Sequence, residues 1–187
     1  MAVKRLGNWK INNLEEILDY CKNNQPDRTK EFGMNNLDQT ADNLDGNDVD
    51  LDYRRWYIGS RHTDTNEYYN DELLLTALPE EFFEQEGLEY PAAKALVLKL
   101  NPACVTIPHK DFFPKGGWVT NGNENAMRYW IPLEDYEHGN AFFVEDEAIV
   151  NWRAGDVFTW AYDDLHGSAN AGLHSRYALV YYTNKKI

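Results

Sequence analysis

Cysteine is scarce in this chain: only Cys21 and Cys104 occur among 187 residues, and neither belongs to a Cys-x-x-Cys pair. Two cysteines are too few for a disulfide scaffold in a chain of this length. We expect both thiols to be free and buried as small apolar residues. This thiol content favours a reducing, intracellular setting.

Long hydrophobic runs are also missing. No apolar stretch approaches the roughly 20 residues that a membrane-spanning helix needs. The residues Met1–Trp9 lack the apolar segment of a signal peptide. The glycine patterns of dinucleotide-binding and phosphate-binding loops are absent as well. We therefore expect a soluble, cytoplasmic protein without a membrane partner.

Positive charge is scarce in this chain. The sequence has 18 lysines and arginines and 31 aspartates and glutamates, which gives a net charge of -13. Such a surface repels phosphate backbones, which argues against nucleic acid as a partner. Most of these carboxylates are expected to be solvated surface groups. An acidic rim around a site would still attract a basic substrate.

Aromatic side chains are plentiful, at 14% of the sequence, with 12 tyrosines and 6 tryptophans. Large rings suit the pleated surface of a β-sheet, so this composition favours a β-rich fold. A length of 187 residues fits one domain, 1–187, with its own hydrophobic core. The sequence does not specify an oligomeric state.

Two short helices are predicted before the main group of strands. Asn13 is a candidate cap for a helix over Leu14–Cys21, and Pro79 suits the first turn of a helix over Glu80–Gln85. Between them, Asp27–Arg55 is polar and rich in asparagine and aspartate, and we expect it to be irregular.

Six strands are predicted from short apolar runs separated by turn residues. They are Ala95–Leu100, Met127–Leu133, Asn140–Val144, Ala148–Trp152, Asp156–Ala161 and Tyr177–Thr183. Helices followed by closely spaced strands indicate a mainly β fold. We expect a double-stranded β-helix, which is a cupin-like jelly roll, with N-terminal helices as buttresses and a β core over about 95–183.

A glycine-rich segment, Phe112–Asn125, interrupts this series of strands. Glycine permits backbone conformations that other residues resist, so the segment is a candidate lid. A long strand connection without a function is an equally good interpretation.

The strongest chemical signal is His109-Lys110-Asp111. Residues two apart in a strand point to the same face, so an imidazole and a carboxylate converge there. His166 follows about fifty residues later, after several strands, at the end of the predicted strand Asp156–Ala161 and its short extension. Two imidazoles and one carboxylate form the facial triad of non-haem Fe(II) sites, with positions left for a cosubstrate and O2.

Arg176 lies ten residues after His166, at the start of the last predicted strand. A planar guanidinium group pairs bidentately with a carboxylate, and the distal end of 2-oxoglutarate is a carboxylate. Arg176 is therefore the candidate residue for binding this cosubstrate.

This order of residues resembles the 2-oxoglutarate/Fe(II)-dependent oxygenase superfamily over roughly Ala95–Thr183. Within it, the chain is most similar to the aspartyl/asparaginyl β-hydroxylase-like group, which includes free-proline hydroxylases. The segments that show the similarity are Arg128–Leu133, Gly139–Val144, Trp152–Asp156 and His166–Asn170.

The resemblance implies a hydroxylase that uses Fe(II), 2-oxoglutarate and O2 and releases succinate and CO2. The substrate would be an amino-acid residue, either free or in a peptide or protein. Arg128 matches an arginine that approaches the cosubstrate in that group, whereas Trp130 stands where a histidine is usual. The metal-binding carboxylate, Asp111, is present, which favours hydroxylation over halide transfer.

Two other interpretations remain open: a catalytically silent jelly roll that binds or supports a partner, and a cupin-like metalloenzyme that does not use 2-oxoglutarate. The second would not need Arg176. The remaining polar candidates and one tryptophan are expected to have structural roles; they are His62, His138, His174, Trp160, Ser168 and Asn170.

Overall fold

The computed structural model describes residues 3–31, 64–109, 126–161 and 164–186. Three helices occur in these ranges: α1 (Leu14–Asn23), α2 (Asp71–Leu74) and α3 (Glu80–Glu86). Eleven strands accompany them: β1 (Lys4–Asn8), β2 (Arg28–Glu31), β3 (Asp64–Tyr68), β4 (Lys94–Leu100), β5 (Cys104–His109), β6 (Ala126–Pro132), β7 (Asn140–Val144), β8 (Glu147–Ile149), β9 (Asp156–Thr159), β10 (His166–Asn170) and β11 (Arg176–Asn184).

The strands form two antiparallel sheets. The larger has seven strands in the order β1-β9-β6-β11-β4-β3-β2, and the smaller has four in the order β5-β10-β7-β8. From β4 to β11 the chain passes back and forth between the sheets, so that neighbours in sequence mostly lie in opposite layers. This winding is the double-stranded β-helix that the sequence predicts, and the fold class is confirmed.

Strand β11 lies at the centre of the larger sheet and pairs with β4 on one side and β6 on the other. Its side chains alternate between two cores, as the two-residue period of a strand requires. Tyr177, Leu179 and Tyr181 face the helices, whereas Ala178 and Val180 face the smaller sheet. The interior between the sheets is therefore lined by the even-numbered positions of β11, which include Arg176 and Tyr182.

Helices α1 and α3 cover the outer face of the larger sheet. Ile17 of α1 and Phe82 of α3 are fully buried against it. The ring of Phe82 meets Tyr129 of β6 edge-to-face, with centroids 5.4 Å apart. Burying each such side chain stabilises the fold by roughly 1.5–3 kcal/mol. The predicted buttressing by N-terminal helices is confirmed.

The helix ends differ in detail from the sequence prediction. Asn13 occupies the N-cap position of α1, but its backbone is left-handed (φ 56°) and its side chain makes no capping hydrogen bond. Pro79 is likewise the N-cap of α3 rather than its first helical residue. The C-cap of α3 is Gly87, whose positive φ of 65° is the conformation that favours glycine.

Several strands were not predicted. Part of the segment expected to be irregular, Arg28–Glu31, is an edge strand paired with β3. Strands β1, β3, β5 and β10 are short or polar and have little apolar alternation, so cross-strand pairing decides their structure. The predicted strand Ala148–Trp152 begins one residue earlier and ends at Ile149.

The remaining predictions have mixed outcomes. Both cysteines are free and buried, as expected. None of the helices within the described ranges is long and apolar enough to cross a membrane. The candidate lid Phe112–Asn125 and most of Asp27–Arg55 lie outside the described residues.

Candidate active site

His166 is the first residue of β10 rather than part of an extension of the preceding strand. Its Cα partner across the β5–β10 pair is His109, the last residue of β5. Directly opposite positions of an antiparallel pair share one face of the sheet. The fold therefore brings positions 109 and 166 together from 57 residues apart in sequence. Asp111 and the side chain of His109 lie outside the described residues, so the triad itself stays a prediction.

The imidazole of His166 is buried and held by two contacts. Its Nε2 lies 2.5 Å from Nη1 of Arg128, and its Nδ1 lies 3.1 Å from the carbonyl oxygen of Asp164. A guanidinium group can only donate hydrogen bonds, so Nε2 must be the acceptor. The ring proton is therefore on Nδ1, which donates to the Asp164 carbonyl. This arrangement is typical of metal-binding histidines, in which a backbone carbonyl orients the ring and leaves Nε2 for the metal.

Hydrogen bonds from the turn between β7 and β8 hold the backbone just before His166. The Leu165 N–H donates to Oε1 of Glu145 at 2.7 Å, and the Glu145 N–H donates to the Leu165 carbonyl, also at 2.7 Å. Glu145 has a left-handed backbone with φ 51°. The Asp164 carboxylate accepts a further hydrogen bond from the Ala161 N–H at 2.9 Å.

Aromatic rings enclose Arg128 and His166. The centroid of the Trp160 ring lies 5.0 Å from that of His166, and Cζ of Arg128 lies 5.2 Å from the same indole. Cζ of Arg128 also lies 5.4 Å from the centroid of the Tyr182 ring. Trp160 is a core residue, as expected, but it also contacts the candidate ligand and the candidate cosubstrate arginine. These rings keep water away from the guanidinium group of Arg128 and orient that group through cation–π attraction.

Arg176, the first residue of β11, is buried between the two sheets. Its Nη1 donates to the Ala141 carbonyl at 3.2 Å, and Cζ lies 5.5 Å from the Trp130 ring and 5.9 Å from Trp152. Burial lowers the pKa of Arg176 to about 10, so the group is still a cation at neutral pH.

The charge of Arg176 is not balanced within the part of the chain that the structure describes. No carboxylate of these residues forms an ion pair with it, and its Nε has no hydrogen-bond acceptor there. A buried cation is costly unless an anion pairs with it. The surroundings of Arg176 therefore suit a ligand that carries a carboxylate.

The strand register relates Arg176 to His166. His166 pairs with Val144 of β7, whereas Ala141, whose carbonyl contacts Arg176, lies three residues earlier on the same strand. Three residues of strand correspond to ~10 Å. His166 and Arg176 thus lie at different depths of the same interior, as the two ends of a bound dicarboxylate would require.

One wall of this interior is an aromatic row. Phe142 contacts Trp160 at 5.0 Å and stacks on Trp130 at 4.6 Å, and Trp130 in turn contacts Arg176. Trp130 is 1% exposed and serves as a packing residue.

A set of hydroxyl groups that sequence analysis missed lies between β3, β5 and β10. Ser168 donates to Thr106 at 3.1 Å, and Thr106 lies 3.4 Å from the hydroxyl oxygen of Thr65. Nearby on β3, Glu67 is buried and accepts a hydrogen bond from the Tyr69 hydroxyl at 2.6 Å. Thr65 and Glu67 share one face of β3 because they are two residues apart, but nothing in the polar sequence of this strand indicated that the face is buried.

The other polar candidates are structural where they are described. Asn170 donates to the carbonyls of Leu100 and His174 and accepts from the Gly172 N–H, so it ties the β10–β11 turn together. His174 is exposed and pairs with Glu137 at 2.9 Å. His62 lies outside the described ranges. Among the described residues, to which Asp111 does not belong, no three His, Cys, Asp or Glu side chains converge on one point.

No family model and no curated protein matches this chain. Solved structures do match, all at low similarity. HygX from Streptomyces hygroscopicus with iron bound is 10% identical, with a TM-score of 0.47, over 100% of this chain and 82% of that chain. The viral collagen prolyl hydroxylase vCPH from Paramecium Bursaria Chlorella virus-1, in complex with 2-oxoglutarate, is 11% identical, with a TM-score of 0.46, over 84% and 95%.

The non-haem α-ketoglutarate-dependent epimerase SnoN from nogalamycin biosynthesis is 19% identical, with a TM-score of 0.41, over 50% of this chain. The match spans only 46% of that enzyme's length. A cupin barrel protein from Salinispora arenicola matches as well, at 13% identity and a TM-score of 0.30, over 48% and 60%. At such scores these likenesses do not establish an activity. The jelly roll follows from the strand order of the chain itself.

Proposed function

We propose that the protein is a 2-oxoglutarate- and Fe(II)-dependent dioxygenase that hydroxylates an amino-acid residue, free or within a peptide or protein. The observation that carries the proposal is the placement of His166 opposite position 109, with the buried cation Arg176 in the same interior. The proposed metal ligands are His109, Asp111 and His166.

The described residues fit these two groups. His166 has its Nε2 as the acceptor nitrogen, which is the form that binds a divalent metal. Arg176 lacks a carboxylate partner among the described residues, and the distal carboxylate of 2-oxoglutarate would supply one. When bound, iron and 2-oxoglutarate would supply the oxidative decarboxylation to succinate and CO2 and the oxidising power for hydroxylation.

The contribution of the chain's own residues is binding, orientation and exclusion of water. The Asp164 carbonyl and Glu145 fix the ring of His166, and Arg176 sets the depth at which the cosubstrate binds. Trp160 and Phe142 form a dry wall beside His166. A water-poor interior strengthens each of these electrostatic contacts.

Anaerobic titration of the purified protein with Fe(II) and 2-oxoglutarate tests the proposal. We expect the visible charge-transfer absorbance of the chelate, and succinate production once O2 is admitted. His109→Ala and His166→Ala should lose the metal and both signals. A metal-loaded protein that gives neither signal would instead be a cupin-like metalloenzyme, and one that binds no metal would be a silent jelly roll.

A further inference from the structure

The contact between Arg128 and His166 involves the nitrogen that a metal would use. Nδ1 of His166 already donates to the Asp164 carbonyl, so Nε2 carries the only lone pair of the ring that can bind a cation. In this structure Arg128 donates to that lone pair from 2.5 Å. An imidazole nitrogen binds zinc and similar divalent metals at about 2.1 Å. The two partners therefore exclude each other.

The surroundings of Arg128 allow its guanidinium group to leave His166 without leaving the site. Its Cζ lies 5.2 Å from the Trp160 ring and 5.4 Å from the Tyr182 ring, and both faces attract a cation in several positions. Once displaced, a group with five donors and no acceptor binds an anion. A carboxylate of the cosubstrate would be the anion at hand.

We propose that Arg128 is a positioning residue that competes with the metal for Nε2 of His166 and couples metal loading to cosubstrate binding. This inference rests on the proposed function. A metal ion displaces Arg128, and the displaced guanidinium group then binds the cosubstrate carboxylate. Because such coupling is reciprocal, a cosubstrate that holds Arg128 away from His166 also tightens metal binding.

The test measures the affinity of the protein for a metal in the absence of cosubstrate. Calorimetry measures it with Co(II), and with Fe(II) under anaerobic conditions. Arg128→Met keeps an unbranched side chain but removes the charge and the hydrogen-bond donors. We expect it to bind the metal about tenfold more tightly than the parent, because a charge-assisted hydrogen bond no longer competes. Its affinity for 2-oxoglutarate should fall, and 2-oxoglutarate should tighten metal binding less than in the parent.

Arg176→Met is the matched control, because it removes a second buried arginine of the described residues, which has no hydrogen bond to His166. Its metal affinity without cosubstrate should equal that of the parent. Thermal unfolding checks that each variant is folded. If Arg128→Met is not folded, Arg128→Gln takes its place.

Equal or weaker metal binding by the Arg128 variants would overturn the competition while leaving the proposed function intact. Failure of the parent and all variants to bind either metal or 2-oxoglutarate would overturn both.

Discussion

Among the residues that the structure describes, two arginines lie inside the jelly roll, and their surroundings give them different roles. Arg128 contacts the acceptor nitrogen of a candidate metal ligand, whereas Arg176 contacts a backbone carbonyl and two indoles. The sequence predicted cosubstrate binding for both, from the spacing of Arg176 and from the resemblance at Arg128. The contact between Arg128 and His166 could not be predicted, because it joins strands that are not neighbours in sequence.

Replacing Arg176 tests its role as the cosubstrate anchor. In Arg176→Met, affinity for 2-oxoglutarate should fall by about 2–5 kcal/mol, because a buried bidentate pair is lost. The free energy of unfolding without cosubstrate should not fall, since a buried charge without a carboxylate among the described residues is removed. Calorimetry and urea denaturation measure the two effects.

Arg176→Lys is the control for charge without bidentate geometry, and its loss of affinity should be intermediate. If Arg176→Met binds 2-oxoglutarate as well as the parent does, the anchor assignment is wrong and Arg128 is the next arginine to test.

At the scale of elements, the buried carboxylate of Asp156 in β9 binds side chains of the neighbouring strand β1. Asp156 accepts hydrogen bonds from the Arg153 N–H, Asn8 and Arg5, at 2.8–2.9 Å. Burial by itself raises the pKa of Asp156, but these hydrogen bonds and the charge of Arg5 outweigh it, and the net pKa lies below its ordinary value. Ionised Asp156 therefore stabilises the fold.

Asp156→Asn should lower the free energy of unfolding at pH 7 by about 1–3 kcal/mol, because buried donors lose a charged acceptor. The pKa of Asp156 is lower in the folded state, so its stabilisation is present above the unfolded pKa of about 3.9. It is lost as the pH falls through the folded value. Denaturation of parent and variant from pH 2 to pH 7 should show the difference shrinking below about pH 4.

Arg5→Gln is the matched control. The Arg5 side chain is 55% exposed, so its loss should cost only about 0–1 kcal/mol. A difference between parent and Asp156→Asn that stays constant over the whole pH range would contradict the role of the ionised carboxylate.

Elements also differ in how well their sequences predicted them. Strand β7 has the predicted bounds, and β11 is one residue longer at each end, because both contain a compact run of apolar residues. Strand β10, His-Gly-Ser-Ala-Asn, has no large apolar side chain, so nothing in its composition indicated a strand. It forms because β5 and β7 pair with it on both sides.

At the scale of the whole molecule, the net charge of -13 bears on the substrate. A strongly negative protein gains little by replacing the counterions of a polyanion, so an oligonucleotide is an unfavourable substrate. We expect succinate formation at low salt to be stimulated by an amino acid or a peptide and not by a single-stranded oligonucleotide. Basic peptides should be preferred to acidic ones, and added salt should reduce that preference.

A panel of amino acids, peptides and oligonucleotides compared by succinate turnover provides this measurement, with mass spectrometry for the gain of one oxygen. Stimulation by the oligonucleotide alone would contradict the proposed substrate class. It would leave the cosubstrate and metal assignments standing, because those are measured without substrate.

The sequence by itself determined the β-rich class, the two buttressing helices and the spacing of His109, His166 and Arg176. These properties depend on composition and on periodicity within one segment, which a linear chain displays directly. The tertiary structure alone decided which strands pair. It placed Arg128 on Nε2 of His166, 38 residues away, and Thr65 beside Thr106, 41 residues away. Such contacts depend on the winding of the chain between two sheets, because a strand's own pattern specifies which face is buried but not which side chain lies opposite.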